Sequence, residues 1–299
     1  MNIVSIGEVL WDVVGETEHL GGAPFNFAAH LSQLGHRVSF ISAVGKDEKG
    51  DRILDRMAGM ALATRYVHRV RDYPTGTATV TIDAQNQPRF VIHRPAAYDF
   101  PQLSDADFIE LASVHVDWIY FGTLQQMSLR AKELTARLIN CNRRARRFYD
   151  VNLRPDSWQP SLVQESMALA SVVKFNDTEL EELAQAFGPH LTSFEEFCRA
   201  YSAKFGWEAV CITRGAKGCV LLIGDQYIDA PGYSITVRDT VGAGDAFAAA
   251  FVHGLGSGWP APRVADFANR VGALVASRAG AIPSWTIEEA ASLRPRCSH

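Results

Sequence analysis

Strand-like and helix-like segments alternate along the chain from its first residues. Residues 2–6 form one short apolar run and residues 38–44 form another. Residues 26–34 and 50–60 have patterns typical of helices, and the first of them ends at Gly35, a residue that often follows a helix C-terminus. Strands that alternate with helices predict an α/β fold with a mainly parallel sheet.

Residues 76–93 depart from this alternation. Polar and apolar residues alternate on both sides of a turn-like segment at 84–88, which predicts a β-hairpin. We expect residues 11–20 to add another strand near it. The sequence therefore predicts a small β lid, formed by about residues 11–20 and 76–97, on a single domain that spans residues 1–299. A lid of this kind can exclude water from a reaction.

The strand and helix patterns resume after residue 117. Short apolar runs at 118–121, 172–175 and 209–213 predict strands. Residues 129–147 predict a helix with a basic C-terminal end, where positive charge complements the helix dipole. The basic residues are Arg143, Arg144, Arg146 and Arg147. A further apolar helix is predicted after Gly244.

Composition narrows the class of protein. Hydrophobic residues make up 47% of the chain and charged residues 21%, which is typical of a globular protein. The net charge of −4 gives no reason to expect nucleic acid or an anionic membrane as partner, and no apolar run approaches membrane-spanning length. Five cysteines without a C-x-x-C pair favour free thiols in a reducing compartment. We therefore predict a cytoplasmic protein.

Residues 239–247 combine small residues with a carboxylate. Gly242, Ala243 and Gly244 directly precede Asp245, and an apolar run follows. If a helix begins here, its first N–H groups and its dipole form an anion site. Asp245 at the mouth of that site would accept a proton beside a phosphate group. The alternative is a glycine-rich turn in which Asp245 caps a core helix.

Two sets of polar residues follow predicted strands. Asp12 and Asn26 lie near a pair of glycines and are suited to hydrogen-bond a polyol, although a turn aspartate and a helix-capping asparagine are the alternative. Asp150, Asn152 and Arg154 are predicted to point to one side of a strand end, because side chains alternate along a strand. Arg154 would then face an anionic or hydroxylated substrate, and a structural salt bridge is the competing interpretation.

Two further segments are compatible with a nucleotide. Asn176 and Glu179 have the spacing of a capping box, and Glu179 is alternatively a ligand of Mg²⁺ through water. The segment 213–218 fits a tight hairpin or a loop that contacts phosphate. The P-loop motif is absent from the sequence, and Phe247 occupies the third small position of the dinucleotide fingerprint. These observations argue against a P-loop enzyme and against an NAD-dependent dehydrogenase.

Taken together, these segments resemble the ribokinase-like sugar kinases, also called the PfkB family, over about residues 3–284. The matching motifs occur in the family's order. They are Gly-Gly-Ala-Pro-Phe-Asn-Phe-Ala (21–28), Val-Gly-Lys-Asp-Glu-Lys-Gly (44–50), Asn-x-x-Glu (176–179), Thr-Arg-Gly-Ala-Lys-Gly (213–218) and Asp-Thr-Val-Gly-Ala-Gly-Asp (239–245). The first motif, Asp-x-Asn-x-Arg at 150–154 and Gly-Ala-Ile-Pro-Ser at 280–284 look most like fructokinases, with 2-keto-3-deoxygluconate kinases close behind.

The resemblance implies a three-layer α/β/α body with a β lid, and a homodimer formed through that lid. It implies transfer of the γ-phosphoryl group of ATP to a primary sugar hydroxyl, with fructose converted to fructose 6-phosphate as the expected reaction. A 2-keto-3-deoxygluconate kinase, or another sugar or nucleoside kinase, is the alternative within the family. A non-catalytic sugar or nucleotide sensor is the alternative from another class.

The resemblance also implies roles for individual residues. Asp245 matches the base, and the amides of Gly242, Ala243 and Gly244 match the hole for phosphoryl oxygens. The sugar contacts would be Asp12, Gly22, Asn26, Arg94, Arg154 and Asp245. The ATP contacts would be Asn176, Thr213, Gly215, Gly218, Gly244 and Asn269. Glu179 matches the Mg²⁺ position. The ligands of a monovalent cation, usually K⁺, would be Asp239, Val241, Val275, Arg278, Gly280 and Ser284. Arg238 departs from the small or apolar residues that are common before Asp239.

Overall fold

Parallel strands joined by helices occur in both compact units of the chain. The structure, a computed structural model, describes residues 1–60, 62–82, 88–187 and 193–294. The first unit comprises Met1–Ala145 and Leu153–Trp158, and the second comprises Arg146–Asn152 and Gln159–His299. Compactness does not say whether a unit folds alone, so the single domain predicted over residues 1–299 stays a prediction.

The first unit contains eight strands and five α-helices among its described residues. In chain order they are β1 (Asn2–Ile6), β2 (Leu10–Val14), β3 (Thr17–Gly21), α1 (Ala23–Gln33), β4 (Arg37–Gly45), α2 (Glu48–Gly59), β5 (Val67–Val70), β6 (Gly76–Ile82), β7 (Pro88–Ile92), α3 (Asp105–Ser113), β8 (Trp118–Gly122), α4 (Thr123–Gln126) and α5 (Leu129–Cys141). Strands β8, β1, β4 and β5 lie side by side, and all their pairings are parallel.

Aromatic side chains pack helix α1 against this parallel sheet. Phe27 stacks on Tyr120 of β8 with ring centroids 4.1 Å apart, and Phe25 meets Phe40 of β4 edge to face. All four side chains are fully buried. Burial of apolar surface is the main force that holds a helix on a sheet, so these contacts fix the position of α1.

A small second sheet has the order β3-β2-β6-β7. Its β2–β3 and β6–β7 pairs are antiparallel, and its β2–β6 pair is parallel. The predicted hairpin is confirmed, and residues 11–20 contribute to two strands instead of one. The predicted turn at 84–88 lies outside the described residues except for Pro88, and the role of this sheet as a lid stays a prediction.

The second unit contains five strands and six α-helices among its described residues. They are β9 (Arg146–Asp150), α6 (Pro160–Leu169), β10 (Val172–Asn176), α7 (Asp177–Phe187), α8 (Phe194–Phe205), β11 (Ala209–Thr213), β12 (Cys219–Ile223), β13 (Gln226–Ala230), α9 (Ala243–Gly256), α10 (Ala261–Ala276) and α11 (Ile287–Ala291). The strands lie in chain order from β9 to β13. The pairs β9–β10 and β10–β11 are parallel, and the pairs that follow are antiparallel. The α/β class with a mainly parallel sheet is therefore confirmed.

The prediction of one helix over 129–147 with a basic C-terminal end is wrong. Helix α5 ends at Cys141, because Asn142 leaves the helical conformation and its side chain donates to the Leu138 carbonyl. Arg143 and Arg144 lie in the following turn, and Arg146 and Arg147 lie in β9. The four arginines therefore do not form the end of a helix.

Helix α1 begins at Ala23, three residues before its predicted start. Pro24 falls in the first turn, where a missing N–H group breaks no helical hydrogen bond. Gly22 is the N-cap residue, with φ of 113°. Asn26 consequently lies inside the helix, and its backbone N–H donates to the Gly22 carbonyl at 2.8 Å. The alternative in which Asn26 caps the helix is therefore wrong.

The predicted alternation from Asp150 to Arg154 is also wrong. Strand β9 ends at Asp150, and residues 151–154 have no regular secondary structure. Asn152 has φ of 39°, in the left-handed region, so the side chains after Asp150 do not follow the two-residue period of a strand.

No helix within the described part of the chain is both long enough and apolar enough to cross a membrane.

Candidate active site

The glycine-rich segment leads into helix α9, as predicted. The helix begins at Ala243, and its N-cap residue is Gly242, which has no side chain that can cap it. Gly242 has φ of 78°, and a Cβ atom there would lie 2.4 Å from the Ala281 carbonyl oxygen, so only glycine fits. Asp245 lies in the first turn and is partly exposed. The Ala243 amide donates to the Thr240 carbonyl at 3.2 Å, which engages one of the predicted anion-binding N–H groups.

A buried lysine that the sequence analysis did not single out lies beside this helix. Lys174 stands in β10 with 5% of its surface exposed, and its Nζ donates to Asp150 Oδ1 at 2.8 Å. A Cβ atom at Gly244 would lie 3.8 Å from the same Nζ. The available signal was a lysine between the apolar residues Val173 and Phe175 of β10. The structure thus places a cation and its carboxylate partner next to the first turn of α9.

The carboxyl ends of β10 and β11 carry the next predicted residues. Asn176 and Thr213 are opposite each other in the parallel register, and Thr213 Oγ1 donates to the Phe175 carbonyl at 3.3 Å. Glu179 N–H donates to Asn176 Oδ1, and Asn176 N–H donates to Glu179 Oε2, both at 2.8 Å. This reciprocal pair is the predicted capping box of α7, and it leaves Glu179 only 4% exposed.

The turn after β11 and Asn269 meet the same stretch of backbone. Gly215 and Gly218 have φ of 53° and 90°, and a Cβ atom at Gly218 would lie 2.2 Å from the Ala230 carbonyl oxygen. Asn269 Nδ2 donates to the carbonyls of Pro231 at 3.1 Å and Ala230 at 3.4 Å. The structure therefore brings Gly218 and Asn269, two of the predicted ATP contacts, together around residues 230–231.

Asp239 connects two segments of the predicted cation site. Its Oδ1 accepts the Val241 N–H and its Oδ2 accepts the Gly280 N–H, both at 3.0 Å. The backbone N–H groups of Arg238 and Asp239 both donate to the Ala276 carbonyl. Three of the predicted ligand residues, Asp239, Val241 and Gly280, are thus adjacent.

The remaining predicted cation ligands meet at Arg278. The Val275 carbonyl accepts the Arg278 N–H at 2.9 Å, and the Ser284 carbonyl accepts a hydrogen bond from the Arg278 guanidinium. The same guanidinium forms an ion pair with Glu289 at 2.6 Å. The carbonyl oxygens of two predicted ligand residues, Val275 and Ser284, therefore already accept a hydrogen bond from Arg278.

The predicted sugar residues other than Asp245 lie in the first unit. Asp12 stands in β2 opposite His19 and Ala78. Burial raises the pKa of its carboxyl to about 6, although the charges of Arg154 and His19 oppose the shift. A Cβ atom at Gly21 would lie 2.6 Å from Asp12 Oδ2, so this glycine leaves room for the carboxylate. The structure thus brings Asp12 and Arg154 close enough to interact electrostatically.

The glycine at the start of α1 is required by close packing. Gly22 has φ of 113°, and a Cβ atom there would lie 2.5 Å from the Glu8 carbonyl oxygen. Asn26 follows one turn later and is 3% exposed. Gly22 and Asn26 are therefore adjacent, on the N-terminal turn of one helix.

Arg94 is held by a buried carboxylate. Its Nε and Nη2 donate to the two oxygens of Asp99 at 3.2 and 2.5 Å, and its Nη1 donates to the Leu124 carbonyl at 3.0 Å. Asp99 is 3% exposed. Such a bidentate pair neutralises the charge of Arg94 within the protein. Within the described part of the chain, Arg154 makes one long hydrogen bond, from Nη1 to the Leu153 carbonyl at 3.4 Å.

Known proteins resemble the chain over nearly all of its length. The family model of the pfkB family carbohydrate kinases matches residues 2–288. An uncharacterized sugar kinase from Pyrococcus horikoshii is 30% identical over 93% of this chain and 91% of its own length. A fructokinase from Escherichia coli is 25% identical over 93% of this chain and 94% of its own length.

Solved structures have the same fold. The Pyrococcus horikoshii protein superimposes with a TM-score of 0.82 at 28% identity, covering 97% of this chain and 96% of that one, and it has also been solved in complex with ATP. A fructokinase from Xylella fastidiosa with bound ATP gives a TM-score of 0.85 at 23% identity, with 97% of each chain covered. The predicted ribokinase-like α/β fold is confirmed. The chain belongs to the pfkB family of carbohydrate kinases and is an ATP-dependent phosphotransferase with an alcohol acceptor.

Proposed function

We propose that this carbohydrate kinase phosphorylates a primary hydroxyl of a neutral sugar, with fructose as acceptor and fructose 6-phosphate as product. The observation that carries the proposal is the start of α9, where Asp245 lies in the first turn of a helix that opens on a glycine. A carboxylate beside an anion-binding helix N-terminus is suited to remove a proton from a hydroxyl as that hydroxyl attacks phosphorus.

Asp245 has the role of general base in this proposal. It accepts the hydroxyl proton, since the oxygen must lose that proton as its bond to phosphorus forms. The positive end of the α9 dipole and first-turn N–H groups such as that of Gly244 stabilise charge on the phosphoryl oxygens, whereas the Ala243 N–H donates to the Thr240 carbonyl. ATP supplies the phosphoryl group: the bond from its γ-phosphorus to the β–γ bridging oxygen breaks as the bond to the sugar oxygen forms, and ADP leaves. Mg²⁺ would spread the negative charge of the phosphate groups.

Glu179 would hold Mg²⁺ through water, while its side chain keeps the cap of α7. A site with one carboxylate suits Mg²⁺, which is usually bound by few protein groups together with waters and phosphate oxygens. No group of three or more His, Cys, Asp or Glu side chains that could hold a metal ion occurs within the described residues.

Charge in the first unit supports a neutral sugar over an acidic one. Asp99 already neutralises Arg94, and Arg154 already acts on the carboxylate of Asp12. A sugar carboxylate would therefore compete with a protein carboxylate for either arginine. Hydroxyl groups need no such charge and can donate to Asp12 directly. The likeness to the Escherichia coli fructokinase over 93% of the chain supports fructose among the neutral sugars.

The acceptor is tested by measuring kcat/KM for a panel with ATP and Mg²⁺. The panel contains fructose, glucose, ribose, 2-keto-3-deoxygluconate and a nucleoside, and the phosphorylated position of each product is read by phosphorus NMR. We expect the highest value for fructose and a 6-phosphate product. A higher value for 2-keto-3-deoxygluconate would overturn the neutral-sugar proposal. ATP binding without transfer to any acceptor would instead favour the sensor.

A further inference from the structure

Lys174 is a buried cation whose ammonium group has unused hydrogen-bond donors. Its side chain is 6% exposed and that of Asp150 is fully buried. Asp150 Oδ1 is the one hydrogen-bond acceptor of its ammonium group within the described residues, although an ammonium carries three N–H donors. Burial of a charge is costly unless its hydrogen bonds are satisfied, so the two remaining donors point to a further anionic partner.

The ammonium group keeps its proton. Burial alone would lower the pKa of Lys174, but the carboxylates of Asp150 and Glu179 raise it above its ordinary value. Lys174 therefore presents a permanent positive charge in the pH range in which a kinase works.

Gly244 leaves space open in front of this charge. Neither backbone strain nor protein packing requires glycine there. Its φ is not in the left-handed region, and among described atoms outside its chain neighbours and its own helical turn, only Lys174 Nζ lies within 4 Å of an added Cβ, at 3.8 Å. Gly242 differs, since its φ is positive and a Cβ atom would collide with Ala281. The missing side chain at 244 thus keeps a gap between the first turn of α9 and a buried cation.

We propose that Lys174 binds the phosphoryl group that is being transferred, in the gap that Gly244 leaves open. The inference rests on the proposed role of Asp245 as the base. The transferred phosphoryl group must lie beside that base, and therefore beside its neighbour Gly244. The ammonium and the α9 N-terminus both favour negative charge at that place, and Asp150 is the positioning residue that holds the ammonium there. No covalent bond to Lys174 is involved.

A purely structural role for Lys174 makes a different prediction. If the lysine served only to neutralise Asp150, removing both charges would restore a normal protein. The variant Lys174→Met leaves Asp150 buried without its partner and is expected to be destabilised. The double variant Asp150→Asn/Lys174→Met removes both charges of the ion pair and leaves Glu179 in its cap, so we expect the fold to be retained and the ligand effect to be read separately.

The experiment measures affinities by calorimetry, with no turnover required. The ligands are β,γ-imido-ATP and ADP, each with Mg²⁺. We expect the double variant to bind β,γ-imido-ATP about 10- to 100-fold more weakly than the wild type, as for loss of a charge-assisted hydrogen bond. Its affinity for ADP should change by less than about threefold, because the transferred group is absent. Asp150→Asn alone, which keeps the ammonium, should bind β,γ-imido-ATP within about tenfold of the wild type.

Gly244→Ala tests the inference by placing a methyl group in the gap in front of Lys174. An added methyl group causes no collision and favours helix, so the melting temperature should not fall, while affinity for β,γ-imido-ATP should fall about tenfold or more. Gly59→Ala, at an exposed helical glycine with nothing within 4 Å, is the matched control. Lys204→Met, which removes an ammonium on α8, controls for charge. Both controls should bind like the wild type.

Wild-type affinity for β,γ-imido-ATP in the folded double variant would overturn the inference, as would equal weakening for ADP. Recovery of phosphoryl transfer in the double variant would also overturn it, since that is the result of a structural role. Failure of the proposed function looks different: the wild type itself would transfer phosphate to no sugar, or Asp245→Ala would remain active.

Discussion

Asp12 is a carboxylate whose protonation changes close to neutral pH. Burial raises its pKa to about 6, whereas its ordinary value is 3.8. Because the pKa is higher in the folded state, ionisation of Asp12 destabilises the fold as the pH rises from the unfolded value to the folded one. The molecule keeps a partly buried carboxylate at neutral pH although it lowers stability. Such a residue fits a binding role better than a structural one.

We therefore predict that sugar binding weakens below about pH 6, because a protonated Asp12 loses acceptor capacity. The value of kcat/KM for the sugar should fall about tenfold per pH unit on the acid side of the pKa. Steady-state kinetics over that range measure it. Asp12→Asn should have low kcat/KM without this dependence, and it should melt at a higher temperature than the wild type above pH 6 but not at pH 4. A wild-type profile that is flat through pH 6 would count against Asp12.

Helix α7 begins with a pair that has both a structural and a proposed functional role. The side chains of Asn176 and Glu179 each accept a hydrogen bond from the other's backbone N–H group. The cap alone is therefore a sufficient structural reason for a residue like Glu179 at this position. Its carboxylate charge is not needed for that purpose, since an amide oxygen can also accept the Asn176 N–H. The cap and the proposed Mg²⁺ role can therefore be separated.

Glu179→Gln should keep the cap and weaken Mg²⁺ binding. We expect the free energy of unfolding to change by no more than about 1 kcal/mol. The Mg²⁺ concentration for half-maximal activity should rise about 10-fold or more, as for loss of a group that orients a metal-bound water. Denaturant titration and a Mg²⁺ titration of activity measure the two effects. Asp107→Asn, in the capping box of α3, is the matched control and should leave the Mg²⁺ requirement unchanged. An unaltered Mg²⁺ requirement in Glu179→Gln would contradict the proposed Mg²⁺ role and leave helix capping as the only role of Glu179.

The local sequence pattern predicted the presence of helices and strands better than it predicted the residues at which they begin and end. The period of apolar residues located strands such as β1, β4 and β10 and helices such as α1 and α2, because that period reflects which face is buried. It placed the end of α5 and the pattern after β9 wrongly, because Asn142 and Asn152 leave the regular conformation. It also placed the start of α1 too late, because a helix accepts Pro24 in its first turn. Strand β5 and helices α4 and α11, with four or five residues each, were too short to be recognised. The nine-residue helix α3 was not predicted.

The residues around the site differ in how much the sequence could reveal. Asp245, Gly242 and the Asn176–Glu179 pair belong to contiguous motifs with a local physical meaning. The partners of Arg94 and Lys174 depend on tertiary packing, which no local pattern specifies. Asp99 lies five residues from Arg94, and Asp150 lies on a neighbouring strand 24 residues from Lys174.

The family match extends over residues 2–288, so the motifs belong to one continuous kinase chain. Within the second unit, Asp239 ties together segments that are 41 residues apart, through Val241 and Gly280. A cation at that position would bind the folded chain and not the unfolded one, because the unfolded chain does not hold the two segments together. Cation binding should therefore stabilise the protein as a whole.

We predict that K⁺ raises both stability and rate relative to Na⁺ at equal ionic strength. The melting temperature should rise by about 2–4 °C, the shift expected for about 1 kcal/mol in a chain of this size. Differential scanning calorimetry and initial rates in the two salts measure the effects. Asp239→Asn should remove the difference between the salts, while Asp229→Asn, a carboxylate on β13 paired with Arg214, should retain it. Equal melting temperatures and rates in K⁺ and Na⁺ would argue against the cation site.

The most direct test of the account is the single-turnover rate of phosphoryl transfer from ATP to fructose in Asp245→Ala. The side chain is partly exposed in the first turn of α9, so the variant should fold and bind ATP like the wild type. We predict a transfer rate at least about 10²- to 10⁴-fold below that of the wild type, the range expected for loss of a general base. A folded, ATP-binding variant that transfers phosphate within about tenfold of the wild-type rate would contradict the proposed mechanism.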